Sequence, residues 1–272
     1  MIPAICFKVF PLFIFIPLLL LVEKRLYKII LHIICAMSGF LASGLIYAGS
    51  EGYIETQRIK DEVFGLHSRF YDNNFFGHEI SIFIMCFIII CFICYTLKYD
   101  ENKTGTYITT IPIIVYSTLF LFYWPHPQWF AIITPYLALL VLIYKNKKPV
   151  ILAEALFITG ILFYSVLQYP KHTDNYMVNH GILPAVTGKT YEGPTYHDYT
   201  YMIYPDFNKI TMTIFITSLI ILIALAGYKL LNKKTKPHIK EQLKTERELI
   251  WLRPLILLTI YMIPTLLMYI IN

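Results

Sequence analysis

Apolar residues fall in long blocks separated by short polar breaks. Eight runs approach 20 residues: 2–22, 29–48, 79–97, 106–124, 128–144, 149–168, 210–231 and 250–271. A helix of about 20 apolar residues crosses the ~30 Å hydrocarbon layer of a bilayer. The pattern therefore predicts an all-α, polytopic integral membrane protein. It should have about eight transmembrane helices in a single transmembrane domain over 1–272.

The polar breaks alternate in character. Glu23-Lys24-Arg25 with Lys28, Lys98 to Gly105, Lys145 to Lys148, and Asn232 to Glu248 hold most of the lysine and arginine. Basic loops stay on the cytoplasmic side, so both termini are predicted external. Two connections on the external face are long, 49–78 and 169–209. The third is the tight tip Trp124-Pro125-His126-Pro127-Gln128-Trp129. Aromatic residues crowd this face, as do His67, His78, His126, His172, His180 and His197. Any chemistry is therefore expected outside. Met1 to Val22 lacks the basic start and the small-residue cleavage site of a signal peptide and is read as a span.

Composition agrees. Hydrophobic residues make up 57% of the 272 residues and charged residues 15%. That is too apolar for a soluble core, a disordered chain or a disulfide scaffold. The net charge of +6 reports the cytoplasmic loops, and nucleic acid is not an expected partner. The five cysteines lie inside apolar runs. The Cys91/Cys94 C-x-x-C sits in an Ile/Phe stretch and reads as inert.

Three external regions could carry chemistry. In the tip, two prolines bracket a histidine, which makes the turn stiff. His126 and Gln128 could hydrogen-bond a phosphate or sugar between Trp124 and Trp129; the plain alternative is a hairpin with aromatic anchors. In the first long loop, Glu55 to Leu66 reads as a short amphipathic helix on the membrane surface. Arg69 follows, a cation for a lipid phosphate or for Asp72 or Glu62. The second long loop carries Asp174, Asn179 and His180 among many tyrosines, a set suited to sugar. Glu192, His197 and Asp198 could hold a divalent cation, but their spacing specifies none, so no metal site or cofactor is assigned.

Within the membrane, Glu154 is the one carboxylate clearly inside a span, about 7–8 Å from its inner end at 1.5 Å per residue. Snorkelling toward Lys147 or Lys148 would explain it. Ser38, Gly39, Ala42 and Ser43 give small-xxx-small spacing for close helix packing. The basic stretch Lys233 to Arg247 reads as a solvated loop or a surface for anionic lipid.

Around Trp-Pro-His-Pro-Gln-Trp-Phe the sequence resembles the later half of GT-C-type multi-pass glycosyltransferases, the mannosyltransferase-like ones above all. The stretches Phe7 to Arg25, Tyr123 to Tyr136 and Asp174 to Leu183 carry the likeness. The resemblance implies a polyprenyl-phosphate sugar donor and a glycan acceptor. It also implies transfer at the external face in cell-surface polysaccharide synthesis, with His126 and Gln128 near the donor headgroup. That family places its base, a carboxylate, in an early external loop. Here the earliest external acids, Glu51 and Glu55, follow the second span and do not match. The catalytic residue is thus unassigned, with Asp72 and Asp174 as weak substitutes, and two readings of the chain stay open: complete, or lacking upstream helices.

Three functions follow as expectations. The first is a glycosyltransferase-like enzyme of the cell membrane. The second is a non-catalytic partner subunit or gene remnant that works with a second membrane chain. The third is a polysaccharide polymerase or transporter, disfavoured by the lack of paired charges inside the spans.

Overall fold

A backbone in hydrocarbon must satisfy its own N–H and C=O groups, so apolar runs fold as helices. The computed structural model describes residues 10–59, 73–75, 78–123, 126–168, 179–180, 182–191, 193–194, 196–204, 206–232 and 251–271. Its helices are α1 (Phe10–Val22), α2 (Leu26–Tyr47), α3 (Glu51–Ile59), α4 (Ile82–Thr96), α5 (Thr104–Phe122), α6 (Thr134–Ile143), α7 (Lys148–Gln168), α8 (Ile182–Thr187), α9 (Tyr196–Ile203), α10 (Phe207–Leu231), α11 (Leu252–Leu257) and α12 (Ile263–Ile271). Short 3-10 helices at Glu101–Lys103 and Pro127–Ile132 lead toward α5 and α6, and a π-turn at Leu258–Met262 joins α11 to α12. Among the described residues the helices are joined by a small antiparallel pair, β1 (Asn73–Phe75) and β2 (His78–Ile80), in register Asn73↔Ile80 and Phe75↔His78.

Among the described residues four helices are long and apolar enough to cross a membrane: Leu26–Tyr47, Glu101–Phe122, Lys148–Leu167 and Phe207–Leu231. The other four expected spans are shorter apolar helices: Phe10–Val22, Ile82–Thr96, Pro127–Ile143 and Leu252–Leu267. For Phe10–Val22 the preceding residues 1–9 lie outside the described segments; local chemistry explains the shortening of the other three. Residues 78–80 pair as a strand before α4 begins. Pro127 and Pro135 start two successive helical pieces. Pro264 lacks the N–H that a regular helix would donate four residues back, and the π-turn lies just ahead of it. Of the amphipathic helix expected at Glu55 to Leu66, residues 55–59 are helical within α3, which begins at Glu51. Ser50 caps it, accepting from the Tyr53 N–H at 3.3 Å. Residues 60–66 lie outside the described segments.

The chain divides into two compact units, Met1–Trp124 with Lys229–Leu231, and Pro125–Tyr228 with Asn232–Asn272. In the first unit α1, α4 and α5 pack on one another. Leu21, Cys94, Tyr107, Ile111 and Val115 form its core. Phe13 of α1 meets Phe83 and Phe87 of α4 edge-on at 5.2 and 5.5 Å. The buried Thr109, Thr110 and Thr118 hydroxyls donate to carbonyls four residues back at 2.7–2.8 Å, so α5 buries them without an unmet donor. By contrast, α2 has only 11% of its apolar window buried, against 67% for Glu101–Phe122.

Lys24 joins two helix ends in this unit. Its ammonium donates to Leu20 O at 2.8 Å on α1, and to Cys94 O and Tyr95 O at 3.2 and 2.6 Å on α4. The Tyr95 ring lies 5.2 Å from that ammonium, and the Tyr95 hydroxyl donates back to Lys24 O at 3.1 Å. A cation is favourable at the negative end of a helix, and here one cation serves two. Partial burial against these ends lowers the Lys24 pKa from its ordinary 10.5.

The second unit is organised around α7, which packs against the Pro127–Ile132 turn, α6, α9, α11 and the π-turn. Gly160 lets α7 and α10 touch. A Cβ at 160 would stand 2.8 Å from the Phe215 Cα.

Candidate functional site

The tip is built by its prolines. A residue before proline is pushed to extended backbone, and His126 sits at φ −71°, ψ 139°. Pro127 opens a 3-10 turn closed by Trp129 N–H donating to His126 O at 2.8 Å. The turn is nailed down by Phe130, which is buried. Its ring meets Phe215, Tyr164 and Phe157 edge-on at 5.2, 5.6 and 6.1 Å. Tyr164 and Phe157 in turn stack on Phe215 at 5.2 and 6.2 Å. The anchor leaves His126 and Trp129 half-buried and Gln128 exposed on one short turn. Three of the predicted side chains are thereby brought together. Trp124 of the same tip, Arg69 and Asp174 lie outside the described residues, as do Asp72 and Glu192.

The second long connection is ordered where it is described. Asn179 accepts the Tyr191 N–H on Oδ1 at 2.8 Å, and the buried Tyr191 donates its hydroxyl to Pro194 O at 2.6 Å. Gly193 permits this, since a Cβ there would come within 2.6 Å of the Tyr191 ring. Asn179, read as a sugar ligand, thus holds the connection together through its side-chain carbonyl. His180 is exposed. Gly188, at φ +69°, ends α8 by donating its N–H to Pro184 O at 2.8 Å, the left-handed cap that glycine adopts without strain. On α9, His197 Nδ1 lies 3.6 Å from the Asp198 carboxylate, and its ring is parallel to Tyr201 at 6.3 Å. Among the described residues no three His, Cys, Asp or Glu side chains converge as a metal site.

A buried charged feature lies at the other end of α7. Glu154 is buried at 6% exposure, and the expected snorkelling toward Lys147 or Lys148 is not found. Its Oε2 accepts instead from Arg253 Nη2 on α11. The reason is geometric: α11 packs on α7, so a guanidinium is at hand without dragging the carboxylate to the surface. The sequence held a signal for it. Runs 149–168 and 250–271 both start at the basic, predicted cytoplasmic face, and Glu154 and Arg253 lie at similar depth from those starts.

The described chain is a set of apolar helices, four with the length and composition of membrane spans; lipid bilayer is the environment that suits them. No known protein family, curated protein or solved structure matches the chain.

Proposed function

We propose that this chain acts in the cell membrane, with the tip and the 179–204 connection outside. There it binds a polyprenyl-phosphate sugar and takes part in its transfer to a cell-surface glycan, in the manner of a GT-C-type glycosyltransferase. The observation that carries the reading is the fixed turn. His126, Gln128 and Trp129 share one rigid segment, held by Phe130 in an aromatic core. Such a segment can present hydrogen-bond donors to a phosphate without ordering a loop on binding.

In this mechanism His126 and Gln128 donate to the phosphate oxygens of the donor lipid. They stabilise the negative charge that grows there as the sugar–phosphate bond breaks. A carboxylate must take the proton of the acceptor hydroxyl. Asp198 stands 3.6 Å from His197 Nδ1 and Asp206 pairs with Lys209 at 2.7 Å; the acids named for the task from the sequence, Asp72 and Asp174, lie outside the described residues. In a second reading the chain presents the donor lipid and a partner membrane chain supplies the base.

The test uses the full chain in lipid nanodiscs with a radiolabelled short-chain polyprenyl-phosphate mannose. Saturable binding that weakens in His126→Ala supports the reading. Sugar transfer by the chain alone identifies the enzyme; transfer only with a co-expressed genomic neighbour identifies the partner subunit. No binding in any preparation sinks both.

A further inference from the structure

The last four residues before the turn into α10 are Tyr201, Met202, Ile203 and Tyr204. All four are large and apolar, and they are 61%, 70%, 82% and 48% exposed. The rest of α9, Tyr196 to Thr200, is half-buried and packs on α7 and α12. The exposed edge is not a fraying end. Tyr204 N–H donates to Thr200 O at 2.9 Å, and Phe207 N–H to Tyr204 O at 3.0 Å. The edge is thereby fixed to the start of a spanning-length helix.

Water is a poor neighbour for such a patch. Two features name a better one. Further along the chain the exposed apolar side chains of α10 begin at Ile210, and Ile210, Ile216 and Ile220 are 47%, 39% and 52% exposed; on a span, that surface meets acyl chains. The chemistry also suits the boundary. Two tyrosines flank Met202 and Ile203, and a tyrosine keeps its ring in the apolar layer and its hydroxyl at the headgroups. The Asp206–Lys209 pair, exposed at the first turn of α10, marks the polar level just beside it.

We propose that α9 is an interfacial helix whose Tyr201–Tyr204 edge inserts into the leaflet where α10 begins, with lipid as its occupant. The docking pins the 179–204 connection to the membrane plane. It stands on these residues alone, whether or not the chain binds a sugar.

The experiment places a nitroxide at Ile203→Cys, or at Asp198→Cys, in full chains whose five native cysteines are replaced. Both are reconstituted in phosphatidylcholine–phosphatidylglycerol vesicles. Collision rates with oxygen, which concentrates in lipid, and with a water-soluble nickel chelate are compared. The expected oxygen-to-nickel ratio is several-fold higher at 203 than at 198. Equal ratios would put the edge in water and overturn the proposal. Loss of both collisions at 203 would mean that protein covers the edge, and would overturn it too. Hydroxyl-radical footprinting of the wild-type chain in the same vesicles gives a check free of substitutions. Met202 should oxidise as slowly as Met85, which is exposed on the apolar helix α4; rapid oxidation of Met202 counts against the proposal.

Discussion

Arg253 donates through Nη2 to Oε2 of Glu154, a residue 99 positions earlier in the chain. The pair ties α11 to α7. Its two members differ in burial: the Glu154 side chain is 8% exposed and that of Arg253 36%. The carboxylate therefore depends on the guanidinium, while the guanidinium still reaches its surroundings. Arg253 Nε is buried with no acceptor among the described residues. The pair links the two helices.

The first prediction follows from that asymmetry. Removing one member of a buried pair strands the other charge, at a cost of about 3–5 kcal/mol when both are fully buried. Partial exposure of Arg253 reduces this to roughly 2 kcal/mol. Arg253→Gln should lower the thermal midpoint in detergent or nanodiscs clearly. The double variant Glu154→Gln/Arg253→Gln should recover most of the loss. A double variant as unstable as the sum of the singles would show that the two side chains act separately.

Gly160 makes a second, steric prediction. Its missing Cβ is what admits the Phe215 backbone. Gly160→Ala should destabilise the chain by about 1–3 kcal/mol, the usual cost of overpacking. Gly227→Ala, on α10, meets nothing within 4 Å and should be neutral or gain up to ~1 kcal/mol from the lower helix cost of alanine. Thermal melts of the two variants side by side decide it.

Phe130 and His126 should separate structure from binding. Phe130→Ala removes the ring that anchors the turn and should cost about 3 kcal/mol. It should also weaken donor-lipid binding, because the turn is no longer held. His126→Ala should leave the melt almost unchanged while weakening binding about tenfold, the worth of one charge-assisted hydrogen bond. Unchanged binding in His126→Ala would remove the histidine from the proposed site.

Glu23 gives a pH dependence. Its Oε1 accepts the N–H of Arg25 at 2.9 Å and of Lys24 at 3.0 Å. The Arg25 N–H above all, with the charge of Lys28, holds its pKa below the ordinary 4.5. A carboxyl group with a lowered folded-state pKa stabilises the fold above its unfolded value. That contribution is lost as pH falls through the lowered one. Stability should therefore decline as the pH drops below about 4.5, and Glu23→Gln should flatten this part of the acid limb. A pH profile identical in wild type and variant would contradict the assignment.

Much of the helical layout is legible in the order of residues. Blocks such as 149–168 and 210–231 are apolar apart from a few scattered side chains, and in hydrocarbon their backbones must close their hydrogen bonds internally, so helices are expected wherever they fall. The turn at His126 is equally local, since Pro127 alone forces an extended residue before it. The limits of the runs are less visible. The run expected to begin at residue 79 opens on Glu79 and Ile80, which pair as a strand with Asn74 and Asn73, so α4 starts only at Ile82. The run from 250 carries Pro254 and Pro264, whose effect on helix continuity depends on how the next turns repack.

Sequence by itself determined which segments are apolar, where proline and glycine interrupt them, and where the charges stand along the chain. These are consequences of hydropathy and backbone sterics, which act within a few residues. Tertiary structure alone decided that Glu154 meets Arg253 and not Lys147 or Lys148. It alone decided that Lys24 serves the ends of both α1 and α4, and that Phe130 enters a cluster with Phe157, Tyr164 and Phe215. Each of these contacts joins residues far apart in the chain, and many apolar faces could have met in other ways. The choice rests on shape, such as the gap at Gly160, which a linear pattern of polar and apolar positions does not encode.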